Sequence, residues 1–240
     1  MAPDGIYREM MVFNGQYPGP TIVADWGDTI EITVTNGLTN NGTSVHWHGL
    51  RQLGSNHMDG TNGLTECPIP PGQSKVYTFK ATQYGTSWYH SHYSIQYIDG
   101  LVGTIQINGP STSDYDVDLG VLPISDWFHT PALRLLSTTQ PGPPAAQNIL
   151  VNGSGVYNGG GQYSTTTLQP GKKHKLRLVN TGNNAYLHIS LDGHQFTVVA
   201  ADFVPVKPYV ATSLVMAVGK CNLAPLAESQ SLISFYRTKI

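Results

Sequence analysis

Two His-x-His motifs constrain this chain more than any other feature. One is His46-Trp47-His48-Gly49 and the other is Trp88-Tyr89-His90-Ser91-His92, each set among β-branched and aromatic residues. In a β-strand, residues i and i+2 share a face, roughly 6.6–6.8 Å apart. His46 and His48 then project together, as do His90 and His92, while Trp47 and Ser91 face the other way. Four imidazoles converging from two strands suit a late first-row metal such as copper. Two pairs can also serve more than one ion, because the ions of a paired site stand only about 3.5–4 Å apart. A single pair reads equally well as structural histidine; two flanked by aromatics in one region favour ligation.

The surrounding chain is written for β-structure. With 240 residues it suits one large domain or two of ordinary size. There are 26 glycines and 16 prolines, and only 12% of residues are charged, which argues against long helices. Gly- and Pro-punctuated runs of Val, Ile, Thr and Tyr point instead to an all-β sandwich. A net charge of −2 offers nothing for nucleic acid to bind. No apolar run approaches the length of a membrane span. The opening Met1-Ala2-Pro3-Asp4-Gly5 has neither the basic start nor the apolar core of a secretory signal. That leaves an intracellular protein or a start that is not the true one. The sequons at Asn41-Gly42-Thr43 and Asn152-Gly153-Ser154 favour the second and make Asn41 and Asn152 glycosylation candidates. Cys67 and Cys221 form no disulfide framework and no Cys-x-x-Cys motif.

Taken in order, Thr29-Ile30-Glu31-Ile32-Thr33-Val34-Thr35 alternates as a half-buried strand. Val45 to Leu50 carries the first histidine pair and Thr86 to His92 the second. The run Leu101 to Ile107 closes a first domain at Asn108-Gly109-Pro110. The second half restarts the pattern with an apolar strand from Asp118 and a Pro-rich loop at Pro141-Gly142-Pro143-Pro144. Further strands follow at His174 to Asn180, Tyr186 to Leu191, Phe196 to Ala200 and Ser213 to Val218. His57, His129, His174, His188 and His194 have no histidine two residues away and are not counted as ligands. His188 reads as a polar-face residue and His194 as a hydrogen-bonding core residue. After Lys220 neither alternation nor turn logic continues. The expected domains are therefore residues 1–110, a partial second sandwich at 111–219, and an aberrant, disordered tail at 220–240.

The chain resembles the multicopper oxidases, and within them the laccases of filamentous ascomycetes. The likeness rests on Asn14-Gly15-Gln16-Tyr17-Pro18-Gly19-Pro20-Thr21-Ile22, His46-Trp47-His48-Gly49-Leu50, Thr65-Glu66-Cys67-Pro68-Ile69-Pro70-Pro71-Gly72 and Gln83-Tyr84-Gly85-Thr86-Ser87-Trp88-Tyr89-His90-Ser91-His92. It continues through Gly103-Thr104-Ile105-Gln106-Ile107, Pro170-Gly171-Lys172-Lys173-His174, Leu191-Asp192-Gly193-His194 and Asp202-Phe203-Val204-Pro205-Val206. The resemblance implies tandem cupredoxin-like Greek-key β-sandwiches and four coppers in the complete enzyme. A blue copper would take single electrons from a phenol or aryl amine, and a trinuclear cluster would reduce dioxygen to water. Carried over by motif, His46 binds the type 2 copper, and His48, His90 and His92 bind the type 3 pair. It also implies an extracellular enzyme.

The chain departs from that pattern in several places. The family's third domain supplies a His-Pro-x-His-x-His run and a His-Cys-His run, and neither occurs in these 240 residues. Cys221 lies in Gly219-Lys220-Cys221-Asn222-Leu223, without the flanking histidines of a blue site. Cys67 resembles a family cysteine that bonds to the C-terminal part of the chain, so here it is expected to be unpaired. The loop Thr181-Gly182-Asn183-Asn184 has no acid where laccases often place one to receive the phenol proton. The expectation is half of a trinuclear centre on a chain inactive by itself. A non-catalytic copper-binding sandwich, a ferroxidase and an ascorbate-oxidase type remain open. A zinc hydrolase would need Asp59 or Glu66 as its base.

Overall fold

The computed structural model describes residues 1–137, 142, 144–226 and 233–234. The first half contributes β1 (Gly19–Asp25), β2 (Thr29–Thr35), β3 (Val45–Trp47), β4 (Ser74–Lys80), β5 (Gly85–Ser91) and β6 (Val102–Asn108). A four-stranded sheet runs β1-β6-β5-β3, and β2 pairs with β4 across from it. The alternation of β2 turns Ile30 inward and leaves Glu31 exposed. Trp47, Tyr77, Phe79, Tyr89, Ile105 and Ile107 fill the space between the sheets. Burying an indole the size of Trp47 stabilises by roughly 4–6 kcal/mol before ordering costs.

The second half contributes β7 (Val117–Trp127), β8 (Asn148–Val151), β9 (Val156–Tyr157), β10 (Gly160–Gly161), β11 (Thr165–Thr166) and β12 (His174–Asn180). It continues with β13 (Leu187–Ser190), β14 (Phe196–Ala201), β15 (Val204–Ala211), β16 (Ser213–Met216), β17 (Cys221–Leu226) and β18 (Ile233–Ser234). Its main sheet runs β15-β14-β17-β12-β7-β8, faced by the β13-β16 pair. Leu176, Leu178, Leu187, Phe196, Val198 and Met216 form this second core. β1 with β6 and β7 with β12 are parallel pairs, which require crossovers between sheets rather than hairpins. The helical content among the described residues is small: α1 (Ala132–Leu136) and two 3₁₀ turns.

The expected tail needs correction. Residues 221–226 form a central strand, with β12 on one side and β14 on the other. Cys221, Leu223, Ala224, Pro225 and Leu226 are all buried. A strand covered on both faces reads as a continuous apolar run without alternation, which is why period-2 logic passed over it. Of the remaining tail, only β18 is described, paired with β11; 227–232 and 235–240 lie outside the described residues, as do Pro141 and Pro143 of the Pro-rich loop. His194 is also corrected: it sits half-exposed at its turn, bonded through Nδ1 to the Asp192 carbonyl, and not in the core.

Strand β5 joins the two halves because it is buried on both faces. Tyr89 points into the first core, whereas Trp88 packs against Val102, Val179 and Cys221. Arg177 on β12 donates from Nη1 to Thr86 Oγ1 at 2.9 Å. Asp118 pairs with both Lys175 and Arg177 behind this contact. The N-terminal segment straps across the same seam. Buried Arg8 pairs with Asp99, donates to the Phe128 and Ile98 carbonyls and lies over the Trp127 ring.

Candidate metal centre

Register places the histidines. In the β3–β5 ladder, His46 stands opposite His90. The ladder continues past the end of β3: the His48 amide donates to Trp88 O at 3.1 Å, and the His92 amide to Ser44 O at 3.3 Å. Residues 44, 46 and 48 therefore share one face with 88, 90 and 92. The His46 ring centroid lies 5.7 Å from that of His48, 5.4 Å from that of His90 and 5.4 Å from that of His92. One nitrogen from each of His46, His48 and His90 falls within 4.8 Å of the others. His92 is exposed at the rim, its ring 6.0 Å from that of His90 and outside this tighter trio.

Second partners fix two of the rings. His46 Nδ1 faces the Asp59 carbonyl at 2.8 Å and its carboxylate at 3.3 Å, so Nδ1 is the donor there and Nε2 is the nitrogen left for a metal. Gly60 makes this approach possible. Its φ is +78°, and a Cβ there would stand 1.7 Å from the Val45 carbonyl oxygen. His90 Nδ1 donates to the Ser91 carbonyl at 3.0 Å. Its Nε2 is buried without a hydrogen-bond partner among the described residues, a cost that a bound ion would relieve. Burial, assisted by neighbouring imidazoles, drives the His48 ring down to about 4 and the His90 ring to about 3. Both are neutral at pH 7 and can donate lone pairs to a metal. Three imidazoles in a cluster of this size, with His48 and His90 neutral and one nitrogen orphaned, fit copper.

The remaining histidines do not join the cluster. His174 accepts the Gln169 amide at Nε2, His188 meets Ser213 Oγ, His129 pairs with Asp4, and His57 is exposed in a 3₁₀ turn. Glu66 engages Lys75 and Tyr77, away from the histidines. Cys67 is exposed, Cys221 is buried, and both are free. The 181–184 loop lies close to the centre through Tyr97, whose ring stands 5.5 Å from that of His90 and whose hydroxyl donates to Asn183 Oδ1. Asp126 caps this loop by accepting the amides of Asn183, Asn184 and Ala185. The sequence reading missed Asp59 as the holder of His46; the Asp-Gly pair was visible, but not the fold of its loop back onto β3.

Residues 1–112 and 118–227 each match a family model described as multicopper oxidase. The chain belongs to the multicopper oxidase family. It is 54% identical over 225 residues to a laccase of Neurospora crassa, a match covering 92% of this chain and 36% of that protein. Laccase-1 of Melanocarpus albomyces is 53% identical with the same coverage, and dihydrogeodin oxidase of Aspergillus terreus is 51% identical, covering 92% and 38%. The crystal structure of Botrytis aclada laccase superposes with a TM-score of 0.92 at 46% identity, covering 95% of this chain and 44% of that one. Fet3p, a multicopper oxidase that functions in iron import, gives 0.83 at 34%, covering 90% and 41%. The two sandwiches are thus cupredoxin units of laccase type, and the chain spans well under half the length of these five proteins.

Proposed function

We propose that this chain supplies one half of the trinuclear copper centre of a laccase-type oxidase. His46 is the ligand to the type 2 copper; His48, His90 and His92 are ligands to the type 3 pair. The observation that carries this reading is the convergence of four imidazoles across the β3–β5 ladder, with the buried Nε2 of His90 left without a partner among the described residues. When bound, copper would pass electrons to dioxygen, and four one-electron oxidations of a phenol or aryl amine would balance the reduction of one dioxygen to two waters. The chain's own residues hold and orient. Asp59 fixes the His46 tautomer, the Ser91 carbonyl fixes that of His90, and Trp88 stacks on His90 at 4.0 Å and shields it from solvent.

The 240 residues contain no cysteine flanked by histidines, so within them electrons find no blue-copper entry point. The chain is expected to bind copper without turning over phenols. Asn41 and Asn152 are both exposed and remain the positions for glycans on an extracellular protein. The test is a calorimetric Cu(II) titration of the chain beside His48→Ala with His90→Ala. The double variant is expected to lose more than the roughly 10–100-fold that loss of an outer partner costs. Unchanged affinity would remove these histidines from the site.

A further inference from the structure

His46 and His90 are each held by a hydrogen bond at Nδ1, but no ring hydrogen bond holds His48 among the described residues. The ring is confined by packing instead. Trp88 covers one side, with centroids 5.2 Å apart. The turn between β16 and β17 closes the Nε2 edge: a Cβ on Gly219 would stand 2.9 Å from His48 Nε2, 3.0 Å from Cε1 and 3.8 Å from Trp88 Nε1. We propose that Gly219 is a positioning residue for His48, so that the second cupredoxin unit sets the orientation of a ligand carried by the first. This rests on the copper reading above.

The turn is built to hold its place. The Gly219 amide donates to Asn180 O at 2.9 Å, and the Lys220 amide to Ala217 O at 3.1 Å. Lys220 Nζ pairs with Asp202, whose other carboxylate oxygen accepts the Cys221 amide at 2.9 Å. Gly219 has φ +75°, a left-handed conformation that glycine adopts without strain. A side chain there would both strain the turn and occupy the space of the imidazole. A wall of backbone also orients the ring without committing either nitrogen to a hydrogen bond, which leaves His48 free to donate.

The test compares Gly219→Ala with Gly171→Ala. Gly171 has φ +72° and nothing within 4 Å of an added Cβ, so it reproduces the backbone strain without the contact. In the metal-free chain with ¹⁵N-labelled histidine, the His48 ring resonances are expected to move in Gly219→Ala and stay put in Gly171→Ala, with those of His90 unmoved in both. Cu(II) affinity is expected to fall about 10-fold or more in Gly219→Ala alone, with no further fall when Gly219→Ala is added to His48→Ala. Equal losses with and without the His48 side chain would overturn the proposal, as would resonances that move no more than in the Gly171 variant. If the wild-type chain takes up no Cu(II), the copper reading fails, while the metal-free resonances still decide the positioning role. Should Gly219→Ala not fold, Lys220→Ala with Asp202→Asn unpins the turn without adding a side chain. His48 resonances should then broaden, and sharp, unmoved ones would refute the idea.

Discussion

The two cupredoxin units share one architecture and use histidine in opposite ways. In the first, four rings gather on one face of a two-strand ladder, and His90 keeps a buried nitrogen without a partner. In the second, His174 accepts a backbone amide at Nε2 while its buried Nδ1 has no partner among the described residues, and His188 meets a serine hydroxyl; neither ring faces another histidine. Composition does not make the difference; pairing register does. His46 stands opposite His90, whereas His174 stands opposite Leu226 on one side and Val117 on the other. A histidine whose cross-strand neighbours are apolar has no second imidazole with which to share an ion; one facing other histidines can be a ligand.

The largest effect that sharpens this contrast comes from the cores. Trp47→Ala is expected to destabilise by about 3–5 kcal/mol and Leu178→Ala by about 2–5 kcal/mol, read from denaturant midpoints. Only Trp47→Ala should also weaken Cu(II) binding under native conditions, because Trp47 sits between His46 and His48. Equal weakening by Leu178→Ala would erase the distinction between the units.

An intermediate effect lies at the seam. Burial raises the Asp118 carboxyl, but hydrogen bonds and charges from Arg177 and Lys175 outweigh it and hold the group below the usual carboxylate range. A lowered folded value means that its contribution is present above the ordinary carboxylate pKa and is lost as pH falls through the folded value. Asp118→Asn is expected to cost about 3 kcal/mol at pH 7, since it leaves Lys175 and Arg177 buried without their counter-charge. It should also flatten the acid limb of a melting-temperature profile; an unchanged limb would mean the carboxylate is not what couples β7 to β12. The smallest effect is His188→Ala, expected within about 0.5 kcal/mol of wild type and without change in Cu(II) affinity. A measurable copper defect there would make the second unit a ligand donor too.

The sequence made half of this arrangement legible. Period-2 spacing put His46 with His48 and His90 with His92, and aromatic flanks at Trp47 and Trp88 pointed to a buried setting. It could not show that β3 lies against β5, because register is a long-range property. The carbonyl of Asp59 and the wall at Gly219 were invisible for the same reason: both act through backbone, which no side-chain pattern announces. Strand β17 escaped because a strand buried on both faces has no polar side to betray its period.

Arg8 carries a consequence of its own. Its two terminal nitrogens bond to Asp99 and Ile98 from the first half and Phe128 from the second, so no single unit supplies all of these bonds. The opening segment is therefore anchored by both units at once, and its removal would take bonds from the seam between them rather than from either core.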